Sequence, residues 1–402
     1  MGFFSNFFSR FTGRVRYVGG AGTHSRGWNR SIEQQDICTS ILDCNASHVA
    51  KAQVLHVKVD SRGRISKIER NSEYSKLFQR PNPYLSAFDF LYAMSWQLDL
   101  KNTAIAWIRW ADSGNKRHPV EIWPINYDTF EIMDVTDGTK AIRFTDFDGE
   151  QHDIRMADAV ILRRHYDGTG YVGGGNDPAD QSIEIVQAVD DSMKDAATVS
   201  NKIHGLLKQK KTMLSPESVK ESQSEFASRI VAAAKNGGVV VQDATEEYTP
   251  ITINAWSANA AQMQQATDRI YGYWRTPRDV VLGTASEQAM QNYYDGVVEP
   301  RWQQMGQAFT SALFSSDSQN TGNRILVFGN SFDGMSWQSK IQIITATKET
   351  GLLSTNEQRD ILGYPPVEDG DERLVSLNYI KAQDQSQYQT GTEKEKTNAN
   401  ET

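Results

Sequence analysis

The chain has 402 residues, of which 39% are hydrophobic and 23% charged, a composition typical of a folded protein with more than one core. Its formal net charge is −8 at pH 7. A protein that grips nucleic acid through the phosphates needs excess Lys and Arg on some face. Tight DNA binding is therefore disfavoured, whereas a surface past which DNA slides is permitted. No run approaches the roughly 18 apolar residues of a membrane span.

The N-terminal residues 1–16 interleave phenylalanines with arginines and lack the continuous apolar core of a signal peptide. Position 6 is Asn6, where a myristoylation signal requires Ser or Thr. Two interpretations remain for this segment. It is an aromatic arm that docks onto a neighbouring subunit, which we favour, or a flexible terminus.

Residues up to 177 predict an α+β region. Apolar stripes at helical spacing predict helices at 31–49, at 74–80 and at 86–98. Strands follow, predicted at 54–59, 103–110, 120–125, 130–135, 141–144 and 159–163. The dipeptides Asp137-Gly138 and Asp148-Gly149 predict hairpin turns between the later strands.

The second half of the chain is predicted to be mainly helical. Glycines between Gly168 and Gly175 indicate a flexible hinge, and the longest helical stripe follows at 178–208. Ser215-Pro216 predicts the start of a helix that ends at Lys235. Further predicted elements are strands at 239–241 and 248–253, helices at 257–273, 287–313 (kinked at Pro300) and 336–350, a strand pair at 325–328, capping boxes at Ser354 and Thr355, and a disordered tail at 384–402.

The sequence shows no pattern that predicts catalysis, a metal site or a cofactor. The glycine cluster lacks the Lys-Ser/Thr ending of a phosphate-binding loop, and none of the histidines has the spacing of a metal site. Cys38 and Cys44 are spaced too widely for an ordinary metal pair and indicate two reduced thiols on one helix. The acidic pairs Asp146/Asp148, Asp190/Asp191 and Asp369/Asp371 are interpreted as solvated charge.

A basic cluster, Lys208, Lys210 and Lys211, falls at the end of the first long predicted helix. One interpretation is favourable interaction with the negative end of the helix dipole. The other is contact with phosphates where DNA passes. The sequence does not decide between them.

Several strings, in order, resemble the portal proteins of long-tailed phages between about residues 35 and 380. One is Pro81-Asn82-Pro83 followed by a helix and the strand 102–108, with Lys101 where the family usually has Gly. A second is residues 270–283, IYGYWRTPRDVVLG, followed by Val298-Glu299-Pro300. A third is residues 350–359, TGLLSTNEQR, followed by Gly363-Tyr364-Pro365-Pro366. Together they identify the chain as a member of that family.

The resemblance implies a portal fold in a head-to-tail ring of about twelve copies at one capsid vertex. The α/β wing with the N-terminal arm would be 1–177, and long stem helices at 178–208 and 257–276 would bracket a small α/β clip at 209–256. Residues 277–334 would hold the channel loop, a long backbone helix and the return to the wing. A helical crown at 335–383 would precede the tail at 384–402.

The implied function is a non-enzymatic channel for double-stranded DNA packaging and ejection, located in the virion and assembled in the host cytoplasm. Implied partners are the terminase large subunit, the major capsid and scaffold proteins, and a head-completion or neck adaptor. Lys208, Lys210 and Lys211 would lie near DNA, and the candidate channel-loop residues are Arg278, Thr284, Ala285, Ser286, Glu287 and Gln288. Two alternatives remain: a metal-dependent DNA-processing enzyme, and another head-completion structural protein.

Overall fold

The computed structural model describes residues 32, 36–113, 116–135, 137–146, 149–202, 205–209, 215–235, 246–250, 260–329, 337–348 and 351–373. The chain forms two compact units. The first consists of Met1–Asn176 and Tyr271–Thr402, and the second, Asp177–Ile270, is inserted between them. The predicted arm, the predicted strand at 239–241 and the predicted tail lie outside the described residues.

The helical core of the first unit starts with α1 (Asp36–Ala50), α2 (Glu73–Gln79) and α3 (Ala87–Lys101). Helices α1 and α3 pack against each other. Ser86 begins α3 with a capping box, in which its hydroxyl accepts from the Asp89 N–H and the Asp89 carboxylate accepts from the Ser86 N–H. Asn102 ends the helix in the left-handed conformation. All three predicted helices are therefore present.

The central sheet has three antiparallel strands in the order β4 (Lys116–Pro124), β3 (Thr103–Ser113), β8 (Ala159–Arg163). Successive residues of β3 enter different cores, because side chains alternate between the two faces of a strand. Ala104, Ala106 and Ile108 pack in the helical core, whereas Ile105 packs in the core of the next sheet. Burial on both faces explains why β3 is a nearly continuous apolar run.

The next sheet is an antiparallel meander of β5 (Thr129–Asp134), β6 (Lys140–Thr145) and β7 (Gln151–Arg155). Glycines close both turns, Gly138 with φ +81° and Gly149 with φ +83°, a region that glycine enters without steric cost. The predicted elements lack β7, because its residues are mostly polar. Buried His152 and Ile154 alternate with exposed neighbours there, which is the pattern of a strand with one solvated face.

A third sheet joins distant parts of the first unit in the order β11 (Asn323–Phe328), β1 (Gln53–Val59), β2 (Ile65–Ile68). The strand pair predicted at 325–328 is wrong in one respect. That region holds a single strand, and its antiparallel partner is β1. Gly322 allows the backbone just before β11 to approach β1 closely, because a Cβ at this position would lie 2.3 Å from the carbonyl oxygen of Val59.

The second unit contains α4 (Asp177–Lys202), β9 (Gly205–Gln209), α5 (Pro216–Lys235), β10 (Glu246–Pro250) and most of α6 (Ala260–Trp274). Strands β9 and β10 pair antiparallel. The helix predicted at 178–208 is too long, since α4 ends at Lys202 and a strand begins at Gly205, a residue that disfavours helix interiors. The helix predicted to end at Lys235 is confirmed.

After the short helix α7 (Arg278–Val281), the helix predicted at 287–313 is confirmed as one continuous helical run, made of α8 (Glu287–Tyr293), a π-helical turn (Tyr294–Val298) and α9 (Glu299–Leu313). Pro300 lies in the first turn of α9 and has no N–H to donate to the turn before it. The backbone irregularity therefore falls before the proline, as a π turn.

The remaining described helices are α10 (Ser316–Asn320), α11 (Trp337–Lys348) and α12 (Thr355–Ile361). The capping box predicted at Ser354 is confirmed, with Glu357 as its partner. The overlapping box at Thr355 is not formed, because Thr355 is already the first helical residue. Across the described ranges, no helix is long and apolar enough to cross a membrane.

Candidate functional site

The predicted channel loop joins α6 to α8 and is held by its own hydrogen bonds. After α7, the chain turns at Gly283 with φ +70°. The Thr284 N–H donates to the Asp279 carbonyl at 2.8 Å, and the Ser286 hydroxyl caps α8 by accepting from the Ala289 N–H at 3.2 Å. The loop is therefore a short helix and a tight turn.

Five of the six candidate loop residues are exposed and one is half-buried. Ala285 is half-buried and packs against the helical core. The other candidates are exposed: Arg278, Thr284, Ser286, Glu287 and Gln288. Gln288 donates from its side chain to the Asn292 amide oxygen at 3.0 Å. The loop thus presents mainly polar groups to its surroundings, and its position in a channel stays a prediction.

Asn45 of α1 holds both ends of this loop. The buried Thr276 hydroxyl donates to the Asn45 amide oxygen at 2.9 Å, and the Tyr293 hydroxyl donates to the same oxygen at 2.8 Å. Thr276 lies just before the loop and Tyr293 at the end of α8. A single side chain therefore ties the start and the end of the segment to the helical core.

Beneath Asn45 lies a buried ion pair. Asp99, with no exposed surface, accepts two hydrogen bonds from the Arg301 guanidinium at 2.7 and 2.8 Å. The Asn45 amide donates to the same carboxylate at 3.1 Å. Such a bidentate pair is both strong and directional. The loop is thereby connected to α1, α3 and α9 through one polar network.

A second arginine, Arg164, extends this network. Its guanidinium lies 3.6 Å from the Asp99 carboxylate and 4.7 Å from the centre of the Tyr273 ring, and it donates to the Tyr273 carbonyl at 2.5 Å. Burial lowers the pKa of Arg164, and the charge of Asp99 opposes that shift. The network therefore reaches the last turn of α6.

The glycine-rich segment, predicted to be a flexible hinge, makes hydrogen bonds to the first unit through Gly173 and Gly174. The Gly173 N–H donates to the Thr103 hydroxyl at 2.9 Å, and the Gly174 N–H donates to the His165 carbonyl at 2.8 Å. A Cβ at position 173 would lie 1.9 Å from the Asn102 carbonyl oxygen. Glycine at this position permits a close approach of two backbones.

The residues of the polar network are absent from the predicted site: Asn45, Asp99, Arg164, Thr276 and Arg301. A signal existed for one of them. Asp99 stands between Leu98 and Leu100 in a mainly apolar helix, and a charge in that setting indicates a buried, paired group. Its partners Asn45, Arg164 and Arg301 follow only from the tertiary structure, since they come from three other segments.

His48 lies beside Tyr293, whose hydroxyl binds Asn45. Its Nδ1 atom lies 3.0 Å from the Tyr294 hydroxyl, and its ring is perpendicular to that of Tyr293 at 5.4 Å between centroids. Burial, reinforced by the charge of Lys51, lowers the pKa of His48 from 6.5 to about 4. The ring is therefore neutral at physiological pH.

We expect this shift to make stability depend on pH. Between pH 6.5 and about 4 the unfolded chain binds a proton at His48 that the folded chain does not, so stability falls as pH decreases through that window. The thermal midpoint of the wild type should fall more steeply there than that of His48→Gln. Scanning both proteins by calorimetry from neutral to acidic pH tests this, and parallel curves would contradict it.

The predicted basic cluster is only partly described. Lys208 lies in β9 opposite Glu247 of β10, whereas Lys210 and Lys211 lie outside the described residues. The helix-dipole interpretation is wrong for Lys208, because α4 ends at Lys202. Contact with phosphates stays a prediction.

Among the described residues, Asp146, Glu150 and His152 place potential ligand atoms within 4.8 Å of one another. Hydrogen bonds within the β6–β7 hairpin account for this geometry. Asp146 accepts from the Glu150 N–H at 2.9 Å, and its other oxygen lies 3.0 Å from His152 Nε2. Cys38 and Cys44 both lie on α1, as predicted.

Comparison with known proteins identifies the family. The profile of the family described as "Phage portal protein" matches residues 38–363. This chain belongs to the phage portal protein family. Portal proteins are structural components of phages and not enzymes, which agrees with the lack of a catalytic pattern in the sequence and removes the alternative of a DNA-processing enzyme. No curated protein matches the chain in sequence.

Solved structures share the portal fold over nearly the whole chain. A chain in "Neck of empty GTA particle computed with C6 symmetry" is 15% identical with a TM-score of 0.61, and 88% of this chain and 96% of that chain are covered. A chain in "Neck of native GTA particle computed with C12 symmetry" is 16% identical with a TM-score of 0.62, covering 87% and 97%. A third, in "Virion of native gene transfer agent (GTA) particle", is 15% identical with a TM-score of 0.59, covering 89% and 98%.

Proposed function

We propose that this portal protein forms a ring of about twelve copies at one vertex of a virion head, and that double-stranded DNA passes through the ring during packaging and ejection. Membership of the portal family over residues 38–363 carries this proposal. The fold shared with a neck chain of a particle computed with C12 symmetry supports the ring and its copy number.

The position of the second unit, inserted within the first along the chain, supports a division of the protein into stem, clip, wing and crown. Helices α4 and α6 would form the stem, and the residues between them, 209–256, the clip that contacts the terminase large subunit and later a neck adaptor. The wing at 1–177 would contact major capsid and scaffold proteins, and the crown at 335–383 would lie inside the head.

The charge of the chain supports a conduit that does not retain DNA. A net charge of −8 in each copy disfavours binding to phosphates. In this proposal the loop at 278–288 faces the lumen, where its polar residues let DNA slide. Lys208, Lys210 and Lys211 would supply the few phosphate contacts near the end of the stem.

Native mass spectrometry of the purified chain tests the ring. We expect one dominant species of about 540 kDa, the mass of twelve copies of the 45.1 kDa chain, because a closed head-to-tail ring satisfies every interface. Electron micrographs of the same sample should show a central hole. Monomers at high micromolar concentration, or rings without a hole, would contradict the proposal.

A further inference from the structure

One side of α3 carries a row of aromatic side chains, Phe88, Tyr92 and Trp96, which we call the aromatic face. A spacing of four residues places each ring above the previous one on a helix. The rings of Phe88 and Tyr92 stack at 6.2 Å between centroids, and those of Tyr92 and Trp96 at 5.9 Å. Phe88 is 44% exposed, and the other two are half-buried.

The opposite side of α3 already faces the helical core, with Phe90, Leu91, Met94 and Leu98. A helix at the surface of a folded domain normally has polar residues on its outer side, whereas a helix that is apolar all round is covered on both sides. Stacked aromatic rings also offer a large, rigid contact area. The aromatic face therefore has the character of a surface that another segment covers.

Carboxylates border this face. Asp89 neighbours Phe88 on α3, and Asp43 of α1 accepts a hydrogen bond from the Tyr92 hydroxyl at 2.6 Å. Both carboxylates are at the exposed surface. A segment that combines aromatic with basic side chains would fit here, since its rings can stack on the row and its cations can lie near the carboxylates or over ring faces.

The N-terminal segment of this chain has that chemistry. The first 31 residues contain five Phe, one Tyr, one Trp and five Arg, but neither Asp nor Glu, in a chain whose net charge is −8. The segment continues into α1, and α1 packs directly against α3. Residues 17–31 can span about 50 Å when extended, so the arm reaches the aromatic face. Such a tether also raises the local concentration of the arm at that face.

We propose that the arm, residues 1–16, binds the aromatic face of its own subunit. Its phenylalanines pack on Phe88, Tyr92 and Trp96, and its arginines lie near Asp43 and Asp89. The arm thereby completes the apolar surface of α3. This assignment differs from the sequence-based interpretation, in which the arm docks onto a neighbouring subunit.

Limited trypsin digestion tests this, because Arg10, Arg14 and Arg16 are cleavage sites that a bound arm protects. In the double variant Phe88→Ser with Trp96→Ala, cleavage at these sites should be about tenfold faster than in the wild type, since proteolysis follows the population of the released arm. A variant that carries Phe3→Ser, Phe4→Ser, Phe7→Ser and Phe8→Ser changes only the arm and should show the same acceleration.

A variant that combines both sets of substitutions distinguishes a direct contact between the arm and the aromatic face from a general destabilisation of the first unit. Residues that act through one contact are not additive, so the combined variant should be cleaved no faster than either set alone. Ile65→Ser removes another exposed apolar side chain, 51% exposed on β2, and should leave the cleavage rate unchanged. An unchanged rate in the Phe88→Ser, Trp96→Ala variant, or additive rates in the combination, would overturn the proposal.

Photo-crosslinking identifies the occupant. A benzophenone amino acid replaces Phe88 in assemblies mixed from light and heavy isotope-labelled chains. A crosslink to residues 1–16 that carries the same label as position 88 supports binding within one subunit. Crosslinks that join light to heavy chains, or that reach another segment, would overturn it.

Discussion

Asp99→Ala is expected to lower the free energy of unfolding of the first unit by about 3–5 kcal/mol, because removing one partner of a buried ion pair leaves an uncompensated charge. Arg301, only 8% exposed, would keep its positive charge without its bidentate acceptor. Arg164 and Asn45 would lose the same acceptor. Urea unfolding of the variant, followed by the intrinsic fluorescence of its tryptophans, measures the loss.

The change should also reach the loop at 278–288. Asn45 binds both Thr276 and Tyr293, and its own orientation depends on the hydrogen bond to Asp99. Hydrogen exchange in the loop should therefore be faster in Asp99→Ala at a urea concentration where the unit remains folded. If Asp99→Ala accelerates hydrogen exchange only in α3, the polar network does not hold the loop.

Two further variants make this prediction sharper. Asp99→Leu with Arg301→Met should cost less than the sum of the single changes, because Arg301 is no longer left as an unpaired charge. Part of the loss should remain, since Arg164 still loses the Asp99 carboxylate. Asp153→Ala breaks the 2.7 Å pair with Arg143 on the solvated face of the meander and should cost about 1 kcal/mol or less. Equal losses for Asp99→Ala and Asp153→Ala would contradict the role assigned to the buried pair.

Gly173→Ala is expected to cost about 3 kcal/mol, at the upper end of the range for overpacked sites. The new methyl group would lie 1.9 Å from the Asn102 carbonyl oxygen and 2.4 Å from that of Arg164. Both obstacles are backbone atoms, so no side chain can rotate away. The loop must move outward, and the hydrogen bond from the Gly173 N–H to Thr103 is then lost. The midpoint of thermal unfolding measures the effect.

Gly272→Ala is the matched control. Gly272 lies on the exposed side of α6, and nothing stands within 4 Å of an added Cβ. Alanine should stabilise the helix by about 0.5–1 kcal/mol, because glycine loses more backbone entropy on folding. If Gly173→Ala lowers the free energy of unfolding by less than about 1 kcal/mol, the size of the effect expected at position 272, the glycine segment adapts to the methyl group, as the hinge interpretation requires.

The pattern of residues along the chain was sufficient for most local structure. Helices such as Glu73–Gln79 and Pro216–Lys235 have clear ends, at Pro81 and at Asn236-Gly237-Gly238, because proline and glycine interrupt a helix for local steric reasons. The strand β7 was missed because only two of its residues are buried. The helix predicted at 178–208 is too long, because local preference does not show where a helix gives way to a strand, whereas the helix predicted at 287–313 is confirmed and contains a π turn before Pro300.

The order of the short motifs was also sufficient to identify the family. Each motif marks a turn, a cap or a strand, and such local features can be recognised in the sequence itself. The contacts that hold the predicted loop had no such signal. Asn45, Asp99, Arg164, Thr276 and Arg301 are far apart in the chain, and so are the paired strands β1 (Gln53–Val59) and β11 (Asn323–Phe328). Composition, charge and motif order follow from the sequence alone, whereas a buried ion pair or a sheet register depends on which distant groups meet. Only the tertiary structure decides that, because the free energy of a buried charge depends on the partner that folding brings to it.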